Sequence, residues 1–92
     1  MCIRKYKSLY RGAFALAISL LEVKAEKTRE SIMESIASYL NVNTFEVDYN
    51  QPIHRAVIEE IMKAGEDVYY QNKSMDKSLE SLSRRLFIDL SI

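Results

Sequence analysis

The chain has 92 residues, enough for one domain that buries about two-thirds of its unfolded surface, for a stability of roughly 5–10 kcal/mol. Hydrophobic residues make up 48% and charged residues 28%, which excludes a disordered or membrane-spanning chain. Thirteen basic residues balance thirteen acidic ones, so the basic excess usual in nucleic-acid binders is absent and no nucleic acid is expected as a partner. The lone Cys2 has no partner for an internal disulfide, which points to an intracellular chain.

The first element is a helix from about Ile3 to Lys24. Ile3, Tyr6, Tyr10, Ala13, Ala17 and Leu20 share one face, broadened by Phe14, Leu16 and Leu21. The alanines allow a neighbouring helix to approach closely. Arg4, Lys5, Lys7 and Arg11 precede the apolar run Gly12–Leu21, in the order of a secretory leader. The run is only about ten residues, short of the roughly 20 that a bilayer requires, and Val23-Lys24-Ala25 is a poor cleavage site. A buried first helix is therefore expected. The four cations offer a further reading, peripheral contact with an anionic membrane surface.

Glu22–Glu30 is polar and read as a break. Continuous helix to Leu40 would be roughly 55 Å long at 1.5 Å per residue, too long for so small a domain. Ser31-Ile-Met-Glu34 fits a capping box, so a second helix is expected over Ser31–Leu40, with Ile32, Ile36 and Tyr39 or Leu40 inward. Asn41 and Asn43 mark a turn. Phe45, Val47 and Tyr49 alternate with Glu46 and Asp48, but one strand has no partner, so an extended connector with buried aromatic anchors is expected.

Asn50-Gln51-Pro52 starts a third helix, with proline at its first position. Ile53, Val57, Ile61, Ala64 and Val68 should be buried. Gly65 costs about 1 kcal/mol relative to alanine, and marks either close packing or an early helix end. The pairs Glu59-Glu60 and Glu66-Asp67 read as a solvated face, with Glu59 one turn from Lys63, or as an acidic surface for a basic partner. Asn72-Lys73-Ser74 ends helix 3 and caps helix 4. There Met75, Leu79, Leu82, Leu86 and Leu90 recur at helical steps. The expected fold is all-α: an antiparallel four-helix bundle, one domain over residues 1–92, with an extended connector between helices 2 and 3.

No catalytic, cofactor-binding or metal-binding set appears. His54 is the only histidine and reads as a solvated or capping residue near the start of helix 3; Cys2 has no histidine to activate it. An all-helical chorismate mutase needs several cations turned into a polar pocket, and the inward positions supply none. The residues that suggest function are those of contact surfaces: Tyr69, Tyr70, Arg84, Arg85 and Phe87, types enriched at interface hot spots. The end of the chain, Leu86-Phe-Ile-Asp-Leu-Ser-Ile92, is more apolar than a solvated tail, and either packs on the bundle or presents a patch.

Ser31-Ile-Met-Glu-Ser-Ile-Ala-Ser-Tyr-Leu40, the proline-started helix at Pro52-Ile53, the late Gly65 and Ser78-Leu-Glu-Ser-Leu82 resemble, over about Leu20–Leu90, the immunity proteins of pediocin-like bacteriocins. The resemblance implies a small cytosolic antiparallel four-helix bundle that protects the producer cell. It would do so by binding, from inside, the bacteriocin-occupied membrane receptor, a sugar permease. Recognition would lie in the C-terminal half, where this chain carries Tyr69, Tyr70, Arg84, Arg85 and Phe87. Two alternatives come from other classes: a small phage or mobile-element regulator or anti-defence protein that binds a host protein, and a helical dimerisation module. An amphipathic stripe serves a dimer seam as well as an intrachain core, so a homodimer is compatible with the pattern.

Overall fold

The computed structural model describes residues 3–23, 28–42, 47–87 and 90, with side chains from Lys7 onward. It is all-α, with four helices: α1 (Ile3–Glu22), α2 (Arg29–Val42), α3 (Pro52–Gln71) and α4 (Met75–Leu86). Phe45, Cys2, Ile88 and the side chains of Ile3, Arg4, Lys5 and Tyr6 lie outside the described residues.

α3 is the central packing element and lies against α1, α2 and α4, while α1 lies against both α2 and α3. The buried face of α1 is Leu9, Tyr10, Ala13, Phe14, Ala17 and Ile18; Leu9 and Ile18 join the stripe the sequence marked, while Leu16, Leu20 and Leu21 are only half-buried. Two glycines set how close α2 and α3 come to α1. A Cβ at Gly12 would overlap the phenol of Tyr39 on α2, so that ring lies across the glycine backbone. Gly12 and Tyr39 are each ten residues from the connection between α1 and α2, the register of an antiparallel hairpin. A Cβ at Gly65 would stand 3.0 Å from the Ala17 Cβ and 3.6 Å from the Ile18 backbone nitrogen. Gly65 therefore marks close α1–α3 packing and not a helix end, since α3 continues to Gln71.

α2 begins two residues before the expected Ser31. Its cap is Thr28, whose Oγ1 accepts the Ser31 N–H at 3.0 Å, while the Thr28 carbonyl accepts from Ile32. The capping-box reading of Ser31 is thus corrected: Ser31 is helical, and its carbonyl accepts the Ser35 hydroxyl. Ile32, Met33, Ile36, Ala37 and Leu40 are buried, and Tyr39 is half-buried.

After α2 the chain forms no strand among the described residues. Val47 is buried and Tyr49 half-buried, as anchors of a connector held by side chains. Asn41 Oδ1 accepts the Val47 N–H, His54 Nδ1 accepts the Asp48 N–H, and the Asp48 carboxylate accepts the Asn50 N–H, each within 2.8–2.9 Å. His54 therefore caps the connector, one of the two roles expected of it, with Nδ1 as the acceptor.

On α3 the expected burial of Ile53 is wrong: it is 78% exposed. The fully buried positions are Ile58, Ile61 and Met62, with Gly65 on the same face. One turn back from Ile58 falls His54, not Ile53, so the face rolls away from Ile53 before the first turn. Val57 and Val68 are half-buried at its margins. α3 ends at Asn72 in the left-handed region (φ 55°), tolerated by asparagine.

α4 opens at Ser74, whose hydroxyl accepts the Lys77 N–H at 3.1 Å. Leu79 and Leu82 are buried and Leu86 partly so, but Met75 is half exposed because Ser78 takes the inward position in the first turn. Leu90 is fully buried yet off the helix, which stops at Leu86.

Charged pairs join the two hairpins. Arg29, the first residue of α2, grips Glu66 with Nε and Nη2 and Glu59 with Nη1, both on α3. Arg55 on α3 returns the pairing to Glu30 on α2 at 2.8 Å. Within the second hairpin, Arg85 pairs with Glu60 at 3.2 Å. These groups are partly exposed, so each pair contributes about 0.2–1 kcal/mol; their effect is to fix relative position.

Replacing Gly65 with alanine should destabilise the fold by about 1–3 kcal/mol, despite alanine's higher helix propensity, because the new methyl must separate α1 from α3. Urea unfolding of wild type and Gly65→Ala checks this; equal or greater stability of the variant would show that the α1–α3 contact is slack.

Candidate interaction surface

The five residues expected to form a recognition surface divide into two groups. Tyr69 and Tyr70 lie at the end of α3 next to the α3–α4 turn, their rings edge to face with centroids 4.9 Å apart. Arg84, Arg85 and Phe87 lie at the opposite end of α4. Arg85 meets Glu60, and Tyr69 is nine residues further along α3, about 13 Å at 1.5 Å per residue. The hairpin brings together Arg84, Arg85 and Phe87 but holds the tyrosines apart from them.

The three residues of the α4 end differ in how they are used. Arg85 is drawn into the hairpin by Glu60. Arg84 is 70% exposed and pairs only one turn back, with Glu80 at 3.0 Å. Phe87 is 94% exposed and has φ 58°, ψ 32°. Its N–H bonds the Ser83 carbonyl and so closes the helix, the role normally given to glycine. A phenylalanine in this conformation costs roughly 1–2 kcal/mol, and its ring makes no compensating burial.

Beyond Phe87 the chain is pinned at Leu90. The Leu90 N–H donates to Ser83 Oγ at 2.9 Å, and its carbonyl accepts from Arg11 Nη1 at 2.6 Å. The apolar chain end thus does both things the sequence allowed: Leu90 packs, and Phe87 is presented. Arg11, grouped by sequence with the membrane-facing cations, is turned to the tail, and Lys7 is half-buried. Arg4 and Lys5 carry no described side chains. No helix of the described residues is long and apolar enough to cross a membrane.

Three of the four acids singled out on α3 are drawn into pairs within the molecule. Glu59 and Glu66 are taken by Arg29, and Glu60 by Arg85, so Glu59 pairs across helices and not with Lys63. The Arg29 guanidinium is held in its charged form, its pKa raised chiefly by the hydrogen bonds to Glu66, with Glu59 adding and burial opposing. Sequence reasoning missed Arg29 and Ser83 and gave Arg11 a different role, because each acts through a residue at least seven positions away.

Other chemistry is sparse. A shallow depression lined by Asn41, Val47, Asp48, Gln51 and His54 adjoins the connector. Among the described residues, no group of three or more His, Cys, Asp or Glu is placed to hold a metal ion. Burial lifts the Tyr49 phenol above its ordinary range, with Glu30 adding and the Arg55 guanidinium, 4.7 Å from the ring centre, opposing.

Two outcomes follow from these positions. Phe87→Gly should raise the stability of the monomeric chain by about 1 kcal/mol, read as a higher urea midpoint, because glycine adopts φ 58° without penalty; a lower midpoint would mean the ring contributes to the fold. Since the folded Tyr49 pKa is raised, its contribution is complete below about pH 10 and lost as pH climbs through the folded value. Tyr49→Phe should flatten the fall in stability above about pH 10; an unchanged slope would assign that fall to other groups. Compared with protein-family models, curated proteins and solved structures, the chain finds no match in any of the three.

Proposed function

We propose that the chain is a non-enzymatic binding protein that engages one protein partner through the C-terminal end of α4, centred on Phe87 and flanked by Arg84. The observation that carries this reading is the exposure of Phe87 in a backbone conformation that disfavours it. An aromatic side chain at a glycine position, outside the core, costs stability and contributes nothing to the fold. Contact with something else gives it a use, and an aromatic beside an arginine is the composition of an interface hot spot.

The concrete form of the proposal is immunity against a pediocin-like bacteriocin. The chain would act in the cytoplasm on the bacteriocin-occupied receptor permease. The all-α four-helix fold and an apolar, arginine-flanked C-terminal surface support this reading. Tyr69 and Tyr70 would form a separate contact at the other end of the hairpin, or none with the same partner.

The test is protection of a bacteriocin-sensitive Gram-positive strain that expresses the chain, challenged with a panel of pediocin-like peptides. Wild type should protect against one or two of them. Phe87→Gly, which keeps the helix cap, should lower the tolerated peptide dose by about tenfold or more. Protection by wild type that survives both Phe87→Gly and Arg84→Ala would move the surface elsewhere. Killing by every peptide, with folded protein present, would favour a regulator that binds a host protein.

A further inference from the structure

We propose that the outward face of α4 pairs with the same face of a second copy, the two helices antiparallel about a two-fold axis opposite Leu82. Within one copy this face is unpartnered: among the described residues α4 packs on α3, through the side that buries Ser78, Leu79 and Leu82. The opposite side carries Lys77, Glu80, Arg84 and Phe87, all exposed. Their steps of three, four and three are the spacing of a helix–helix seam, and at 3.6 residues per turn they share an arc of roughly 80°.

The order of residues along the stripe names a second copy as its occupant. Glu80 and Arg84 lie two positions either side of Leu82, and Lys77 and Phe87 lie five positions either side. One two-fold axis at that height therefore sets each Arg84 against the other copy's Glu80 and each Phe87 against the other copy's Lys77. Arg84 already binds Glu80 of its own helix through Nη1 at 3.0 Å. A guanidinium has five N–H donors, so it keeps that bond and takes the second carboxylate as well. Lys77 has no ion pair among the described residues, so its ammonium is available to the face of the Phe87 ring and its stem to the ring's edge. Asp76 and Glu80 balance Lys77 and Arg84, and two such faces meet without net repulsion. At the axis Leu82 is turned inward and its neighbours Ser81 and Ser83 are short, so no bulky side chain keeps the helices apart.

A face one helix wide and 12 residues long, about 18 Å, buries an area in the small, transient class. The dimer is accordingly weak and reversible, with a dissociation constant on the order of 100 µM. It covers Phe87 and Arg84, so a partner engaging that surface must displace the second copy. The inference does not rest on that partner, and its test needs none.

Sedimentation velocity of the purified full chain, from about 10 µM to about 1 mM, brackets that value. Wild type should pass from monomer to dimer. Glu80→Arg and Arg84→Glu should each weaken the dimer by about tenfold or more, because like charges then face each other across the axis. An equimolar mixture of these two variants should recover association, since every charge of one meets its opposite on the other. Phe87→Ala, with all charges in place, should weaken the dimer by about tenfold. Circular dichroism confirms that each variant is folded. A wild type that stays monomeric throughout overturns the proposal. So does a dimer indifferent to both charge reversals or to Phe87→Ala, or a mixture that stays monomeric.

Discussion

The near-contact of two backbones where Ala17 meets Gly65 governs the rest of the structure. α1 must serve two neighbours at once, and it can do so only if one of them comes in without side chains between. Ala13 and Ala17 are completely buried, and Gly65 offers no Cβ to hold α3 away. With that distance set, Phe14, Ile58, Ile61 and Met62 reach each other across the interface and fill the core. The second glycine, Gly12, does the same for α2 by giving the Tyr39 ring a bed. Each glycine forgoes about 1 kcal/mol of helix propensity; tighter packing of larger neighbours offsets it.

Around this apolar centre the charges act as locators. Arg29 draws the start of α2 to two points one and three turns along from Arg55, which itself holds Glu30. Opposed pairings of this kind specify one sliding position of the first hairpin on the second. Apolar side chains alone would tolerate neighbouring positions at little cost. The fold therefore takes its stability from burial and its alignment from guanidinium geometry.

Much of this was legible in the order of residues. Helical spacing announced four helices, and Pro52 and Ser74 marked where two of them start, because caps and proline act locally. The alanine-rich face of α1 foretold a close neighbour. What was not legible depended on distant residues. Ser31 looked like a cap because the motif is satisfied on paper, yet Thr28 supplies the hydroxyl. Ile53 fits the apolar period but lies off the face that Ile58 and His54 share, and so meets solvent. Leu90 fits the period of α4 and is buried, though for a different reason: the helix has stopped, and Arg11 and Ser83 hold the chain. The candidate surface was legible in residue type alone. Five residues close in sequence were divided by a hairpin, and no periodicity could show that Phe87 would stand in a glycine's place.

Internal pairing of the acids also governs how the molecule meets others. With Glu30, Glu59, Glu60, Glu66 and Glu80 held by Arg29, Arg55, Arg84 and Arg85, the paired faces of α2, α3 and α4 project little long-range field. A partner that met these faces would do so unsteered, at rates on the order of 10⁵–10⁶ M⁻¹s⁻¹, and nearly indifferent to ionic strength. Selectivity there would fall to how long a complex lasted once formed, and so to the fit of a few apolar atoms rather than to attraction at a distance.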